Sequence, residues 1–338
     1  MKKAMTVLGP VEADQLGHIL PHEHILMEFP ELNIPPMYPE LVEKKVTIDM
    51  LGKLRRHIWS CKDNLCLDQP EIAQQEISSF KRSGGGTIVD VTPVGLGRSV
   101  SAVAEISRNT GVHIVAGCGF YIQVGHPAEI RDLSAQEIAR RLVKEVEEGI
   151  EGTGIRAGII GEVGVSSPMH PDEEKVLRGA VQAHLQTGAP LSIHQHGGNE
   201  IKQIHQILQQ EGVSPQGVIL SHMGSAGHEL RWWAAGQGYY IEIDCFGNEY
   251  YLDALAGVIV RDPERVKTVK ELIEKGYLRQ ILISNDVALK MLWKKYGGWS
   301  YEHILVNIKP FMLRQGIPPK AVDTMIYYNP MRVIAYLD

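Results

Sequence analysis

The sequence predicts a (β/α)8 barrel of the α/β class, with a metal site at the carboxyl ends of its strands. Short apolar runs alternate with helix-like segments along all 338 residues, as expected for repeated βα units. The runs number eight, and five of them end in histidine, glutamate or aspartate. Eight alternating units favour a closed barrel over a doubly wound sheet, in which a glycine-rich phosphate turn would more naturally follow the first strand.

The predicted strands span Leu16–His24, Gly86–Val91, Val112–Cys118, Ala157–Val163, Pro190–His194, Gly217–His222, Tyr239–Asp244 and Gln280–Asp286. We interpret Gly84–Gly86 as a turn into the second strand. Between strands, apolar residues recur at helical spacing within 138–146 and 201–208. Ser134 with Glu137 three residues later is a capping box, which predicts a helix start.

The segment from Ile25 to Asp68 is the longest without clear barrel periodicity. It is rich in proline and follows the first strand, so we expect it to fold over the barrel mouth as a partial lid. No linker rich in serine, proline or glycine divides the chain, and residues 1–338 are therefore expected to form one domain.

Composition indicates a globular enzyme and argues against several other classes. Hydrophobic residues make up 44% and charged residues 22% of the chain, and the net charge is -6. We therefore expect neither nucleic-acid nor membrane binding, since there is no basic field and no apolar run of membrane-spanning length. The apolar start is too short for a signal peptide, and the four cysteines are scattered. A cytoplasmic protein with free thiols is the expectation.

His22-Glu23-His24 directly follows an apolar run. If this segment is a strand, side chains two residues apart share one face, so both imidazoles point to the same place. That is the geometry of a chelate, although a His-x-His pattern alone also arises by chance. Its importance comes from the other strand ends.

The candidate ligands at the strand ends are His22, His24, Glu162, His194, His222 and Asp286. Taken singly, each histidine fits a hydrogen-bonded core position, Glu162 a helix-start carboxylate and Asp286 a helix N-cap. Taken together, buried imidazoles and carboxylates call for cations. Nitrogen and oxygen ligands suit zinc, manganese, iron or cobalt, and six of them suit two ions about 3.5–4 Å apart that share a carboxylate and a hydroxide.

The chain resembles the phosphotriesterase family of the amidohydrolase superfamily over nearly its whole length. The resemblance rests on Leu20–His24, Gly158–Gly164, Ser192–His194, Ser221–Gly224, Asp244–Gly247, Ser284–Asp286 and Lys295–Gly298, and continues to Asn329-Pro330. It implies a hydrolase with one ion on His22, His24 and Asp286 and the other on His194 and His222. Zinc is the expected metal.

The resemblance is to the branch called phosphotriesterase-related proteins. The best-known members bridge their ions with a carboxylated lysine on strand four, but no lysine occurs between Arg156 and Pro168, so Glu162 takes that place. Phosphotriester hydrolysis is then absent or incidental, and related proteins act on lactones, esters or N-acyl amides. A small ester or lactone is the expected substrate, with an amide or a phosphotriester less favoured. Asp286 is the expected catalytic proton acceptor for the metal-bridging hydroxide.

Several residues are candidates for the substrate pocket, or equally for packing and surface positions: Tyr121, His196, Asn199, Trp293, Trp299 and the loop from Phe246 to Arg265. Arg261, Arg265 and Lys267 fit either an anionic substrate or a solvated helix face. Cys245 is expected to be a small packed side chain. The alternative to an enzyme is a metal-containing barrel that binds a small ligand without turnover. A homodimer is a further guess.

Overall fold

The computed structural model describes residues 2–30, 33–195, 198, 200–252 and 257–338. Within them, eight parallel strands form a nearly closed barrel, confirming the predicted fold, and their order around the sheet follows the chain. The strands β1 to β8 span His18–Glu23, Gly85–Asp90, His113–Cys118, Ile159–Gly164, Leu191–His194, Val218–Leu220, Tyr240–Ile243 and Ile281–Ile283. Where β8 meets β1, the Asp286 amide donates to the His22 carbonyl at 3.3 Å.

Helices follow the strands and surround the barrel. The helices α1 to α7 span Pro70–Arg82, Val100–Thr110, Ala135–Glu147, Pro171–Thr187, Glu200–Gln210, His228–Gln237 and Asp262–Glu274. After β8 come the helical segments Ile304–Ile308, Lys309–Arg314, Pro319–Asp323, Thr324–Tyr328 and Asn329–Ile334. Antiparallel pairs join Lys3–Thr6 to Gly9–Glu12, Met27–Glu28 to Cys66–Leu67 and Tyr251–Leu252 to Gly257–Val258.

Helix α3 shows how the sequence pattern becomes packing. The predicted capping box is present: Ser134 Oγ accepts from the Glu137 amide at 3.3 Å, and Glu137 Oε2 accepts from the Ser134 amide at 2.8 Å. Ile138, Leu142 and Val146 form its buried stripe. Each fully buried aliphatic side chain contributes roughly 1.5–3 kcal/mol, so this stripe holds the helix on the barrel.

The barrel interior is a packed apolar core below the strand ends. Its members come from strands all around the barrel and include Ile19, Val89, Val115, Ile159, Ile219 and Leu282. The neighbouring side chains Leu20, Ile88, Ile114 and Ile160 belong to the outer cluster that packs against the helices. Strand alternation thus separates the two cores, and the predicted ligands lie where the inner core ends.

The segment predicted as a lid is fixed to the rest of the barrel by polar contacts. Lys290, which follows β8 and is fully buried, donates from Nζ to Asp63 at 2.8 Å and to Asp68 at 2.7 Å. The Met291 amide donates to Asn64 Oδ1 at 3.0 Å. Whether the segment opens and closes as a lid stays a prediction. Among the described residues, no helix has the length and apolar character needed to cross a bilayer.

Candidate metal centre

The structure brings together at the strand ends all six side chains that the sequence predicts as ligands: His22, His24, Glu162, His194, His222 and Asp286. The ligand atoms of His22, His24 and Asp286 lie within 4.8 Å of one another, as do those of His22, Glu162 and His222. His194 Nδ1 lies 2.9 Å from Glu162 Oε2 and 2.8 Å from His222 Nε2. The predicted residues therefore form one cluster, and their role as ligands stays a prediction.

The spacing within the cluster fits ligands that share a cation. His22 Nε2 is buried and has no hydrogen-bond partner in the described part of the chain, yet it faces Glu162 Oε2 at 3.6 Å and Asp286 Oδ1 at 3.8 Å. His24 Nε2 faces Asp286 Oδ1 at 3.5 Å. Such distances are long for hydrogen bonds. Ligand atoms about 2.0–2.2 Å from one tetrahedral ion lie about 3.3–3.6 Å apart, so the residues present fit a divalent metal.

Three of the imidazoles are held at Nδ1 by side chains on or just after other strands of the barrel. The pairs are His22 with Glu242 at 3.0 Å, His24 with Thr92 at 2.9 Å and His222 with Asp244 at 2.9 Å. An Nδ1–H that donates to such a partner leaves the Nε2 lone pair available for a metal and fixes the ring orientation. This second set of contacts is typical of metal-binding histidines.

The sequence interpretation missed these imidazole partners. Glu242 and Asp244 stand two residues apart at the end of β7 and share a face, a signal that resembles the His22–His24 pattern and was available. Thr92 follows β2 and in turn donates to Asp90 Oδ1 at 2.6 Å. A threonine after a strand carries no distinctive pattern, so its role emerges only from the fold.

Electrostatics in the cluster favour positive charge. Burial lowers the pKa of His22, but the hydrogen bond and charge of Glu242, with Asp286 and Glu162, outweigh burial and raise it to about 10. The same field attracts a divalent cation. Burial lowers the pKa of His24 to about 4, assisted by its neighbours His22 and His222, so its imidazole is neutral, the form that binds metal.

Irregular strand pairing turns two of the predicted ligands inward. Ile19 belongs to the inner core and Leu20 to the outer one, so strict alternation would direct His22 outward. The pairing of β1 with β2 shifts between Leu20 and Glu23. The pairing of β4 with β5 shifts between Ile160 and Val163. Each shift lies beside a ligand, and it places His22 and Glu162 at the centre.

The chain leaves strands β6, β7 and β8 through left-handed residues. His222, Cys245 and Asp286 have φ values of 59°, 59° and 54°. This conformation is costly for residues other than glycine, by roughly 1–2 kcal/mol. Because two of the three are candidate ligands, the strain falls on functional positions, a recurring feature of active sites.

Cys245 is a small side chain packed beside the cluster, and it also makes polar contacts that the sequence does not predict. Its Sγ donates to Asp286 Oδ2 at 3.2 Å and lies 3.2 Å from Asp244 Oδ1, and the residue lines the cavity. The sequence does not indicate the contact with Asp286, because that residue follows a different strand. Burial and the nearby carboxylates raise the pKa of the Cys245 thiol, so it is a protonated donor. All four cysteines are free.

A cavity of about 580 Å³ opens onto the cluster. Its walls are mainly apolar, with Phe29, Ile58 and Trp59 from the predicted lid segment, and candidate ligands including Glu162 and His222 line it as well. Volumes of about 300–1,000 Å³ are typical of small-molecule sites. The cavity therefore gives a small organic molecule access to the cluster.

Some of the residues suggested for the substrate pocket line the cavity, and others do not. Tyr121 lines the cavity. So do Tyr250, in the loop after β7, and Arg265, in the first turn of α7. Trp293 is fully buried and donates from Nε1 to the Tyr301 hydroxyl at 3.3 Å. Trp299 is half exposed and stacks on His303. Neither tryptophan is among the described lining residues. His196 and Asn199 lie outside the described residues.

Fold and site together define a (β/α)8 barrel with an imidazole and carboxylate centre of the metal-binding kind at its mouth. The sequence profile of the Phosphotriesterase family matches residues 2–334. The chain belongs to that family, as the motifs in its sequence indicate. An N-acetyltaurine hydrolase of Danio rerio is 36% identical over 345 aligned residues, which cover 99% of this chain and 98% of the relative.

Two solved structures extend the comparison. A resiniferatoxin-binding protein from Rhodobacter sphaeroides superimposes with a TM-score of 0.94 at 35% identity, covering 98% of this chain and 94% of that chain. A lactonase from Listeria monocytogenes superimposes with a TM-score of 0.81 at 26% identity, covering 99% of this chain and 100% of that chain. The likeness thus extends over the entire barrel.

Proposed function

We propose that the chain is a metal-dependent hydrolase that cleaves an acyl bond in a small organic molecule. The observation that carries this proposal is the convergence of six imidazole and carboxylate side chains beneath a cavity of about 580 Å³. A purely structural polar cluster would not need to face a cavity, nor to leave the buried Nε2 of His22 unpaired within the described residues.

Within this proposal, His22, His24 and Asp286 hold one divalent ion and His194 and His222 hold the other, with Glu162 between them. Two such ions, zinc being the first choice, would make a water molecule acidic enough to supply hydroxide near neutral pH and would polarise the bond under attack. Glu242, Asp244 and Thr92 keep the imidazoles oriented. These roles use every candidate ligand in the cluster.

Asp286 is the proposed proton acceptor. Its Oδ1 faces the imidazoles of His22 and His24, while its Oδ2 accepts a hydrogen bond from Cys245, and the residue lines the cavity. A carboxylate in this position takes the proton of the attacking water and gives it to the leaving group. The apolar cavity walls exclude bulk water from that exchange.

The relatives direct the search for a substrate. N-acetyltaurine hydrolase of Danio rerio cleaves an amide, so a short N-acyl amide is the first class to test. A lactone is the second, because the Listeria monocytogenes structure is that of a lactonase. This order reverses the expectation from sequence, in which esters and lactones come before amides. Phosphotriesters stay the least favoured class.

Binding without turnover is the rival function. It is favoured by one comparison, since the Rhodobacter sphaeroides structure, with a TM-score of 0.94, is described as a binding protein. A barrel of this family with a complete ligand set need not carry a productive substrate pocket. The two functions differ in a single observable, the appearance of product.

The test is a turnover panel with metal-reconstituted protein. N-acetylated amines, lactones, carboxylic esters and phosphotriesters are incubated with the enzyme and products are followed by mass spectrometry. We expect turnover of at least one amide or lactone, loss of activity with a chelator and recovery with added Zn2+. Absence of product from every class, combined with thermal stabilisation by the same compounds, would establish the binding function instead.

A further inference from the structure

Arg265 is a buried cation in the cavity wall. It lies in the first turn of α7, is 4% exposed and lines the cavity. Its Nε donates to the Asp244 carbonyl at 2.7 Å. Its Nη1 is buried without a hydrogen-bond partner among the described residues, and within this part of the chain the guanidinium forms no ion pair. The guanidinium is therefore held at Nε by a backbone carbonyl, while Nη1 has no hydrogen-bond acceptor among the described residues.

Two other buried arginines in the barrel have protein partners at their Nη atoms, although Arg98 Nε, like Arg265 Nη1, is buried without a hydrogen-bond partner among the described residues. Arg98, whose side chain is 5% exposed, pairs with Glu145 at 2.7 Å and with Glu151 at 2.9 Å. Arg231 donates from Nη1 to backbone carbonyls that include that of Met223, at 3.3 Å. Structural arginines thus find acceptors in this fold, and Arg265 differs because its open side borders the cavity.

Arg265 also differs from the two neighbouring cations that the sequence offered for an anionic substrate. Arg261 is 65% exposed and pairs with Glu264, and Lys267 is 78% exposed and contacts Glu271. Both belong to a solvated helix face. Of the three candidates, Arg265 alone lines the cavity among the described residues.

An unpaired buried charge is expensive, by several kcal/mol even after relaxation. An anion in the cavity would remove that cost, because a guanidinium presents several N–H donors in a planar fork that matches carboxylate, sulfonate or phosphate oxygens. The anchor at Nε holds the fork in place before the ligand arrives, which reduces the entropy lost on binding.

Arg265 borders the same cavity as the metal cluster. Its Nε contacts the backbone of Asp244, whose carboxylate holds the imidazole of His222. Tyr250 and Asp286 line the same cavity as Arg265. One small molecule can therefore contact the guanidinium and the cluster at the same time.

We propose that Arg265 binds an anionic group on the part of the substrate remote from the scissile bond. The cavity then selects short acyl compounds that carry a sulfonate, carboxylate or phosphate over neutral compounds of the same size. This inference rests on the proposed function for its substrates, and it assigns the residue that binds an anionic group such as the sulfonate of N-acetyltaurine, the compound for which the Danio rerio relative is named.

The test compares two substrates that differ in that charge: N-acetyl-2-aminoethanesulfonate and the neutral N-acetyl-2-aminoethanol. We expect wild type to favour the sulfonate by about 100-fold in kcat/KM, the scale of hydrogen bonds to a charged group. Arg265→Gln should lose about that factor on the sulfonate, mainly through KM, and should no longer favour the sulfonate over the neutral compound. Arg261→Gln, on the solvated face, should change neither.

Two further measurements keep the result interpretable. Arg265→Lys retains the charge without the fork, so an intermediate sulfonate preference is expected if recognition is ionic. Ethanesulfonate, which cannot be hydrolysed, should raise the melting temperature of wild type and of Arg261→Gln but not of Arg265→Gln. Equal losses on both substrates, or no preference in wild type, would overturn the anion role. Arg265-dependent stabilisation by ethanesulfonate without turnover of either compound would retain the anion site and overturn its role in selecting these substrates, while the turnover panel decides the hydrolase function.

Discussion

At the scale of single residues, Asp286 is proposed both as a metal ligand and as the proton acceptor. One carboxylate oxygen faces the imidazoles at 3.5 and 3.8 Å, and the other is held by Cys245 at 3.2 Å. Burial raises the pKa of Asp286, while the charges of His22 and His222 oppose that effect. A carboxylate whose proton affinity is raised is suited to accept a proton during turnover.

Asp286→Asn keeps the shape of the side chain but removes its charge and basicity. We expect kcat to fall about 10²–10⁴-fold, the usual contribution of general base catalysis, while KM changes much less. Steady-state kinetics on a substrate found in the turnover panel would measure both, with metal content determined on the same sample. A kcat within about 10-fold of wild type at full metal content would exclude the proton-transfer role.

Glu162→Ala tests the shared carboxylate. Glu162 is 1% exposed and lies within 3.7 Å of imidazole nitrogens from His22, His24 and His194. Elemental analysis should find about two ions per wild-type chain and at most about one in the variant, because the residue proposed to bridge both ions is lost. The matched control is Glu76→Ala, at a buried glutamate that accepts from the Lys294 and Lys295 amides. Equal metal content in the three proteins would contradict the bridge.

At the scale of elements, the strands and their ends were predictable and some side-chain directions were not. All eight predicted strands are present, with ends displaced by at most three residues. The direction of His194 follows from simple alternation, since Ser192 and His194 share a face. Alternation fails for His22 and Glu162, because the irregular pairing beside each depends on the neighbouring strand. No local pattern in one strand reports how its neighbour pairs.

The segment from Ile25 to Asp68 depends on a buried ion pair for its position. Lys290 is completely buried against Asp63, whereas Lys45 contacts the same Asp63 oxygen at 2.7 Å and is 78% exposed. Lys290→Met leaves a carboxylate poorly compensated and should lower the free energy of unfolding by roughly 3–5 kcal/mol. Lys45→Met should cost less than about 1 kcal/mol, as expected for an exposed pair. Urea unfolding measures both, and equal effects would contradict this explanation.

The same ion pair predicts a dependence on pH. Burial raises the pKa of Asp63, but the hydrogen bonds from Lys290 and Lys45 outweigh burial and bring the pKa below its ordinary value. Because the pKa is depressed in the folded state, the stabilisation is complete above about pH 4 and is lost as the pH falls through the lowered value. The difference between wild type and Lys290→Met should therefore shrink in acid. A difference that stays constant down to about pH 2 would assign the effect to packing.

At the scale of the whole molecule, the candidate centre connects distant parts of the chain. Its side chains come from strand ends between His22 and Asp286, a separation of most of the sequence, and they meet above the inner core. Its carboxylates are buried near one another, which disfavours their charged forms unless cations compensate them. Metal binding and folding of the barrel mouth should therefore be thermodynamically coupled.

This coupling predicts that metal removal lowers the thermal stability of the entire barrel. A ligand that binds the folded state alone stabilises it by about 2.7 kcal/mol at a free concentration 100 times its Kd. We expect the melting temperature to fall after chelation and to rise with the concentration of added Zn2+ until the sites are filled. The rise should be smaller in Glu162→Ala, which lacks the shared carboxylate, and unchanged in Glu76→Ala. Differential scanning calorimetry would measure the series, and a melting temperature independent of metal in wild type would reject a binuclear centre built from these six residues.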